Sequence, residues 1–375
     1  MRIERIEVLP VRLPIRGMLT LPRGPSRTED EGKRIAVVKM TADDGTVGWG
    51  EAGPSRRWSA ETLESCVSSL RLYLAPVLIG HDPADIEGLH AKMNRELATG
   101  MDAGQPVAKA ALDIAAHDLA CKRRGIPLLQ HFAAGPLGRI ALSRLISVAS
   151  PREAEAATRE AIAAGYRGFK VKVGTDPKKD FAIVKAVVAA ANGGFVWPDA
   201  NQGFNAADAL ELARALEPLG ITLFEQPVAA TDFDGLRALV GRTALKVVLD
   251  ESAMSLAFVR ELARQKLVEG LAVKINKLGG LFHGDRMCAL ARELGVPLLG
   301  SGLMDAPISF MAAVHLFAAY GIDLPVDLNG PQFISEDYLA RPLPIEQQDV
   351  VVSSAPGLGL AIDEAKLARY ALRLE

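Results

Sequence analysis

Five charged residues recur along the middle of the chain at nearly equal intervals: Lys172, Asp199, Glu225, Asp250 and Lys274, separated by 27, 26, 25 and 24 residues. Each lies at the end of a short apolar run: "GFKVKV", "GFVWPDA", "ITLFEQP", "KVVLDES" and "GLAVKINK". That spacing fits one strand, a crossover helix and its loops, so the five stand at the same end of neighbouring parallel strands. A single acid at a strand end often caps the next helix or meets a neighbouring cation. Five in unbroken succession converge on one mouth, in the order base, three carboxylates, base.

Three carboxylates in one mouth cannot all stay ionised without compensation. A hard divalent cation supplies it, and oxygen-only ligands select Mg²⁺ or Mn²⁺ over zinc. Such a metal keeps positions open for a substrate carboxylate, with the two lysines flanking it from opposite sides. A proton α to a carboxylate is weakly acidic, and its removal needs stabilisation of the enediolate dianion that forms. One lysine takes the proton; the other returns one or stabilises charge.

A lysine near its ordinary pKa of ~10.4 is a poor base at neutral pH. A neighbouring cation and partial burial both lower it. In "GFKVKVG" the alternation places Lys170 on the same face as Lys172. Two roles are open to Lys170: depressing the pKa of Lys172, or pairing with an acid inside the barrel.

The elements that must position these groups are legible. Between residues 139 and 340 eight apolar runs, from "ALSRLISV" to "LPVDLNG", alternate with Ala-, Leu- and Glu-rich helical stretches, the pattern of a (β/α)8-type barrel. No final helix is evident after the eighth run. The first 125 or so residues differ. "RIERIEVLPVRLPI" and "RIAVVKMTADDGTVGWGEA" read as strands around an Asp44-Gly45 turn, and 59–124 as helices, giving an α+β unit. The expected division is a capping domain at 1–130, a catalytic barrel at 131–340, and a tail at 341–375 that returns to the cap.

With 375 residues, 49% apolar content and a net charge of −2, the chain is of ordinary globular composition and carries no footprint for nucleic acid or anionic membrane. No apolar run reaches the ~20 residues of a membrane span, and charges interrupt the N-terminus where a signal peptide would be apolar. Cys66, Cys121 and Cys288 lack metal or disulfide spacing, which fits a cytoplasmic location.

The motifs together resemble the enolase superfamily, specifically the muconate lactonizing enzyme subgroup of the mandelate racemase/muconate lactonizing enzyme proteins. They are K-x-K at Lys170 and Lys172, "PDANQGF", "FEQP", "LDES" and "VKINKLGG", with "DGTVGWGEA" near the start and "PGLGLAID" in the tail. The resemblance implies a (β/α)7β modified TIM barrel. It implies Asp199, Glu225 and Asp250 as ligands for Mg²⁺, and Lys172 and Lys274 as the acid/base pair. Ene-diolate chemistry with a Lys base and Mg²⁺ is the superfamily's known solution rather than a result from this chain. Lys274 stands where the mandelate racemase subgroup has a His, which excludes that subgroup. A symmetric homo-oligomer, an octamer or a dimer, is also implied.

Specificity in such proteins lies in cap loops over the mouth, here 17–33 and "GPSRRWSAE". Arg56, Arg57 and Trp58 would hold a substrate carboxylate or ring, although solvated arginines are equally open. In dipeptide-specific members the eighth strand ends in D-x-D. Here "VDLNG" keeps Asp327 and puts Asn329 at the second position, which weakens dipeptide epimerisation. Asp305 stands where relatives often have Glu, at a substrate contact. Asn201 either braces a metal ligand or forms a turn. Glu251 and Lys277 should point away by alternation, and His117 reads as a packing residue. The leading expectation is racemisation or epimerisation of an amino-acid derivative, with Asp327 pairing a cationic or N–H group. Alternatives are a muconate-type cycloisomerase, a syn-dehydratase of a hydroxy acid, and, from another class, a non-catalytic barrel that binds a small acid.

Overall fold

The computed structural model describes residues 1–17, 20–21, 24–25, 31–100, 102–132 and 138–374. Most of the first expected cap loop therefore lies outside the described residues. Three antiparallel strands open the chain: β1 (Ile3–Leu13), β2 (Lys33–Ala42) and β3 (Val47–Ala52), in the order β1-β2-β3. Ala42 N–H donates to Thr46 O across the Asp44-Gly45 turn, where Gly45 takes φ 83°. Helices α1 (Ile86–Glu96) and α2 (Pro106–Arg124) follow. α2 lies directly on β3 because Gly48 and Gly50 carry no side chain. A Cβ on Gly50 would stand 1.8 Å from Ala111 O, and one on Gly48 2.2 Å from Ala115 O.

The barrel is a sheet of seven parallel strands: β4 (Ser143–Ile146), β5 (Gly168–Lys172), β6 (Phe195–Asp199), β7 (Leu223–Glu225), β8 (Lys246–Leu249), β9 (Gly270–Val273) and β10 (Leu298–Gly300), ordered as in sequence. The eighth run is reduced to single bridges. Val326 pairs with Leu142 before β4, and Asp327 with Ser301 after β10, so the run joins the two sheet edges. Only a four-residue helical turn, Gly330–Phe333, follows it.

Five helices stand on the outside after β4 to β8: α3 (Pro151–Ala163), α4 (Pro177–Ala191), α5 (Ala206–Leu216), α6 (Phe233–Leu239) and α7 (Leu256–Arg264). Each is capped by a loop residue: Ser150, Asp176, Asn205, Asp232 and Ser255 accept backbone N–H bonds from their first turns. Capping therefore does not use the strand-end acids, which stay available to the mouth. α8 (Leu281–Leu294) and α9 (Pro307–Ala319) complete the ring.

Strand pleating divides the two faces. Phe169 and Val171 pack outward beneath the helices, whereas Trp197, Leu223, Val248, Ala272 and Leu299 fill the barrel interior. The polar residues of the mouth sit one layer above this plug. In the tail, Ala371 bridges to Val11 and Leu372 N–H donates to Pro10 O, which ties the C-terminus to β1. Among the described residues no helix is long and apolar enough to cross a membrane.

Candidate active site

Register carries the charged residues to one level. Lys172 pairs with Asp199 between β5 and β6, and Asp199 with Glu225 between β6 and β7. Glu225 pairs with Val248 two residues before Asp250, and Lys274 directly follows β9. Asp199, Glu225 and Asp250 are all fully buried.

Asp199 Oδ2 accepts from the Lys172 ammonium at 2.7 Å and forms an ion pair with Lys170 at 2.9 Å. The side-by-side lysines of "GFKVKVG" thus meet over one carboxylate oxygen. Lys170 also reaches Glu225 Oε1 at 2.8 Å and Asp327 Oδ2 at 2.9 Å. Burial alone would lower its pKa, but Asp199, Asp327 and Glu225 raise it well above the ordinary value. The cation beside Lys172 is therefore already matched by three carboxylates.

Asp250 is held from the other side. Lys274 Nζ donates to its Oδ2 at 2.6 Å, and Lys277 Nζ to its Oδ1 and backbone O, both at 2.7 Å. Burial would lift the Asp250 carboxyl, yet Lys274, Lys277 and Lys170 hold it at about 2. Asp199 likewise lies well below the usual carboxylate range: burial opposes this, and Lys170 and Lys172 outweigh it. Glu225 goes the other way, pushed up by burial and by repulsion from Asp199. Lys274 is raised, because Asp250 outweighs burial.

Among the described residues no group of three or more His, Cys, Asp or Glu side chains stands preassembled at metal-ligating separations. The donor set nevertheless fits a hard divalent cation. Three buried carboxylates from consecutive strands offer only oxygen, the donor such a cation takes.

Other expected contacts divide. Trp58 lies with its ring centroid 4.3 Å from Lys274 Nζ, so the second cap loop does cover the mouth. Arg56 instead pairs with Glu31 and is more than half exposed. Arg57 is exposed, and a Cβ on Gly24 would stand 3.2 Å from its Nη1. Asp327, expected to pair a substrate cation, has partners within the protein. Its Oδ2 meets Lys170 and Ser301 Oγ, and its Oδ1 accepts from Asn329 Nδ2 at 2.9 Å, so both oxygens are engaged within the barrel. Asp305 accepts from Asn276 Nδ2 at 2.8 Å and lies at the junction with the cap, beside Lys33 and the buried Glu51. His117 is buried in α2, with Nδ1 2.9 Å from Asp113 O, and takes no part in the mouth.

Three residues of the mouth escaped sequence reasoning. Glu251 does not point away: its Oε1 accepts from Asn201 Nδ2 at 3.2 Å, and burial with repulsion from Asp250 pushes its carboxyl up to about 7. Lys277 grips Asp250 because the turn Ile275–Leu278 is helical, bringing the third residue after Lys274 back over the strand end. The Gly279-Gly280 stop after "VKINKL" was the available signal. Gln226 Oε1 accepts the backbone N–H of Asp250 and of Ser252, fixing the turn that carries the ligand.

The chain resembles a set of known isomerases over nearly its whole length. Residues 152–366 match the enolase C-terminal domain-like model, and residues 11–132 match the N-terminal domain of mandelate racemase / muconate lactonizing enzyme. The chain belongs to the enolase superfamily, in its muconate lactonizing enzyme subgroup. It is 29% identical over 369 residues to the N-succinyl-L-Arg/Lys racemase of Bacillus cereus, covering 98% of this chain and 97% of that protein. The crystal structure of that racemase superposes with a TM-score of 0.92 over 100% of this chain and 99% of the other. A chloromuconate cycloisomerase of Cupriavidus necator is 30% identical, with 99% of both chains covered. The dipeptide epimerase of Enterococcus faecalis, complexed with Mg and the dipeptide L-Leu-L-Tyr, superposes with a TM-score of 0.88 at 26% identity, over 96% of this chain and 100% of the other.

Proposed function

We propose that the protein removes the proton α to the carboxylate of an amino-acid derivative and returns one to the opposite face, a racemisation or epimerisation. The observation that carries this reading is the order of groups across the mouth. Lys172 and Lys274 stand at its two flanks, and the three buried carboxylates lie on the strands between them. Asp199, Glu225 and Asp250 would hold Mg²⁺, which supplies positive charge against the enediolate dianion. In one direction the α C–H bond breaks, its proton passes to the neutral amine of Lys172, and the electron pair moves into the carboxylate. The ammonium of Lys274 then protonates the other face of the α-carbon, and its raised pKa keeps it in the form that can do so. In the reverse direction the two lysines exchange roles. Trp58 covers Lys274 and limits the access of water to that side.

A nitrogen-bearing substrate is supported by the acceptors left open. Glu251 Oε2, Asn276 Oδ1 and Asn329 Oδ1 are buried without a hydrogen-bond partner among the described residues. An amide N–H or an ammonium group would satisfy such atoms once the mouth opens around a substrate, whereas a muconate offers them no donor. The racemase relative acts on N-succinyl amino acids by its name, in line with this choice. A second reading, cycloisomerisation of a muconate-type diacid, rests on the cycloisomerase relative and would use the same enediolate step.

The test is α-proton exchange followed by NMR in D₂O with Mg²⁺, over N-acyl amino acids, dipeptides, hydroxy acids and muconates. Exchange in both enantiomers of an N-acyl amino acid is the expected result. Ring closure of a muconate would favour the second reading, and water loss from a hydroxy acid would favour elimination. No turnover of any class, together with no Mg²⁺ binding by calorimetry, would indicate a barrel that only binds acids.

A further inference from the structure

The two lysines are held in different ways. Lys172 Nζ has two oxygen acceptors, Asp199 Oδ2 at 2.7 Å and Asn201 Oδ1 at 2.6 Å. Lys274 Nζ has one carboxylate oxygen at 2.6 Å and the face of Trp58. A neutral amine nitrogen carries two N–H bonds, one C–N bond and one lone pair, arranged tetrahedrally. When both N–H groups of Lys172 are taken by fixed oxygens, the lone pair has one direction left.

Whether Asn201 acts as an acceptor depends on which end of its amide faces Lys172. Oxygen accepts from the amine, while nitrogen would crowd an N–H against it. Two contacts settle the choice. Asn201 Nδ2 donates to Glu251 Oε1 at 3.2 Å, which turns Oδ1 toward Lys172. Asn201 N–H donates to Asp199 Oδ1 at 2.9 Å, anchoring the backbone, which takes φ 41° in the left-handed region. Glu251 is itself a buried carboxyl, so the contact is shielded from competing water.

We infer that Glu251 is a positioning residue for Lys172. By holding the amide of Asn201 in one orientation it aims the lone pair of Lys172 at the α-carbon. Among the described residues Lys274 has no counterpart to this relay, so the two faces of the substrate depend on different supports. The inference rests on the two-lysine reading above and adds to it a dependence that the lysines alone do not imply. A positional error of about 1 Å costs about 100-fold in rate, so loss of the relay should cost about 10- to 100-fold on the Lys172 face.

The experiment measures solvent exchange of each enantiomer of an exchanging N-acyl amino acid in two parent enzymes. With Lys274→Ala only the face read by Lys172 exchanges; with Lys172→Ala only the opposite face does. Glu251→Gln and Glu251→Ala are then compared in each parent. Both remove the charge, but Gln retains an acceptor oxygen for Asn201 Nδ2. The expected result in the Lys274→Ala parent is that Gln exchanges about 10-fold or more faster than Ala, with a ratio near 1 in the Lys172→Ala parent. Asn201→Gly, which suits the left-handed backbone, should match the Ala level on the Lys172 face. Equal Gln and Ala rates in both parents, or a ratio that moves equally on the two faces, would overturn the relay while leaving the two-lysine reading intact. Failure of both parents to exchange either enantiomer would overturn that reading and the relay with it.

Discussion

Buried charge occurs in two regions of this molecule, and they differ in how fully it is matched. On α2 of the cap, Asp113 accepts from the backbone N–H groups of Leu281 and Phe282 and from His90, and lies within 3.4 Å of His117. Asp118, one turn on, accepts from Trp49 N–H, Leu358 N–H and Lys122 Nζ. These acids tie the cap helix to the start of α8, to β3 and to the tail. At the mouth, by contrast, like charges share oxygens. Four of the eight buried side-chain atoms without a partner among the described residues are found there, Trp58 Nε1, Glu251 Oε2, Asn276 Oδ1 and Asn329 Oδ1, whereas the cap network leaves His90 Nδ1 and matches every oxygen of its two acids. A satisfied network stabilises, whereas open valences at low dielectric cost stability and persist where a ligand will complete them.

Substitutions on the two sides should separate stability from activity. Lys172→Ala is expected to lower α-proton exchange on its face by about 10²- to 10⁴-fold, the usual contribution of a general base. Its thermal unfolding midpoint should fall less than that of Asp113→Ala, because Asp199 keeps Lys170 as a partner when Lys172 is gone; an equally large drop would mean that the mouth is structural. Asp113→Ala should do the reverse. Removing one partner of a buried charged network costs about 3–5 kcal/mol, measurable by denaturant unfolding, while turnover per folded molecule is retained.

The same contrast has a pH signature. Burial would lower the pKa of His117, but Asp113 outweighs it and raises the value. Burial would raise Asp113, but His117 and His90 hold it well below the usual range. Stability from the His117 side is therefore fully present below its unfolded value of ~6.5 and is lost as pH rises through the higher folded value. Stability from Asp113 is present above ~3.9 and is lost as pH falls through its lower folded value. Unfolding midpoints across both windows should show the two losses in wild type and neither in Asp113→Asn. The smallest effect is expected for Arg56→Ala: a surface ion pair contributes about 0–1 kcal/mol, and kcat/KM should change less than about threefold. A larger fall in kcat/KM would place Arg56 at the substrate.

The comparison also explains what the sequence made legible. Strand-end residues were readable because pleat alternation and a β/α spacing near 25 residues fix both their face and their level. That rule stops where the strand stops. Asn201, Gln202 and Gln226 take positive φ, and Glu251 lies in a turn, so side chains one or two residues past a strand end cannot be aimed by counting. The partner of Asp327 was hidden for a different reason. It stands at the rim by position, but Lys170, two residues below Lys172, reaches up and engages it. The direction of Arg56 rested on Glu31, a partner 25 residues away that no local pattern reveals.

The most direct test of the account follows each enantiomer of an N-acyl amino acid separately in D₂O with Mg²⁺, using wild type, Lys172→Ala and Lys274→Ala. Wild type should exchange and interconvert both. Each variant should lose interconversion yet keep exchange, without inversion, of one enantiomer, and the two variants should keep opposite ones. Retention of the same enantiomer by both variants, or undiminished interconversion in either, would contradict the placement of the two lysines on opposite faces of one carbon.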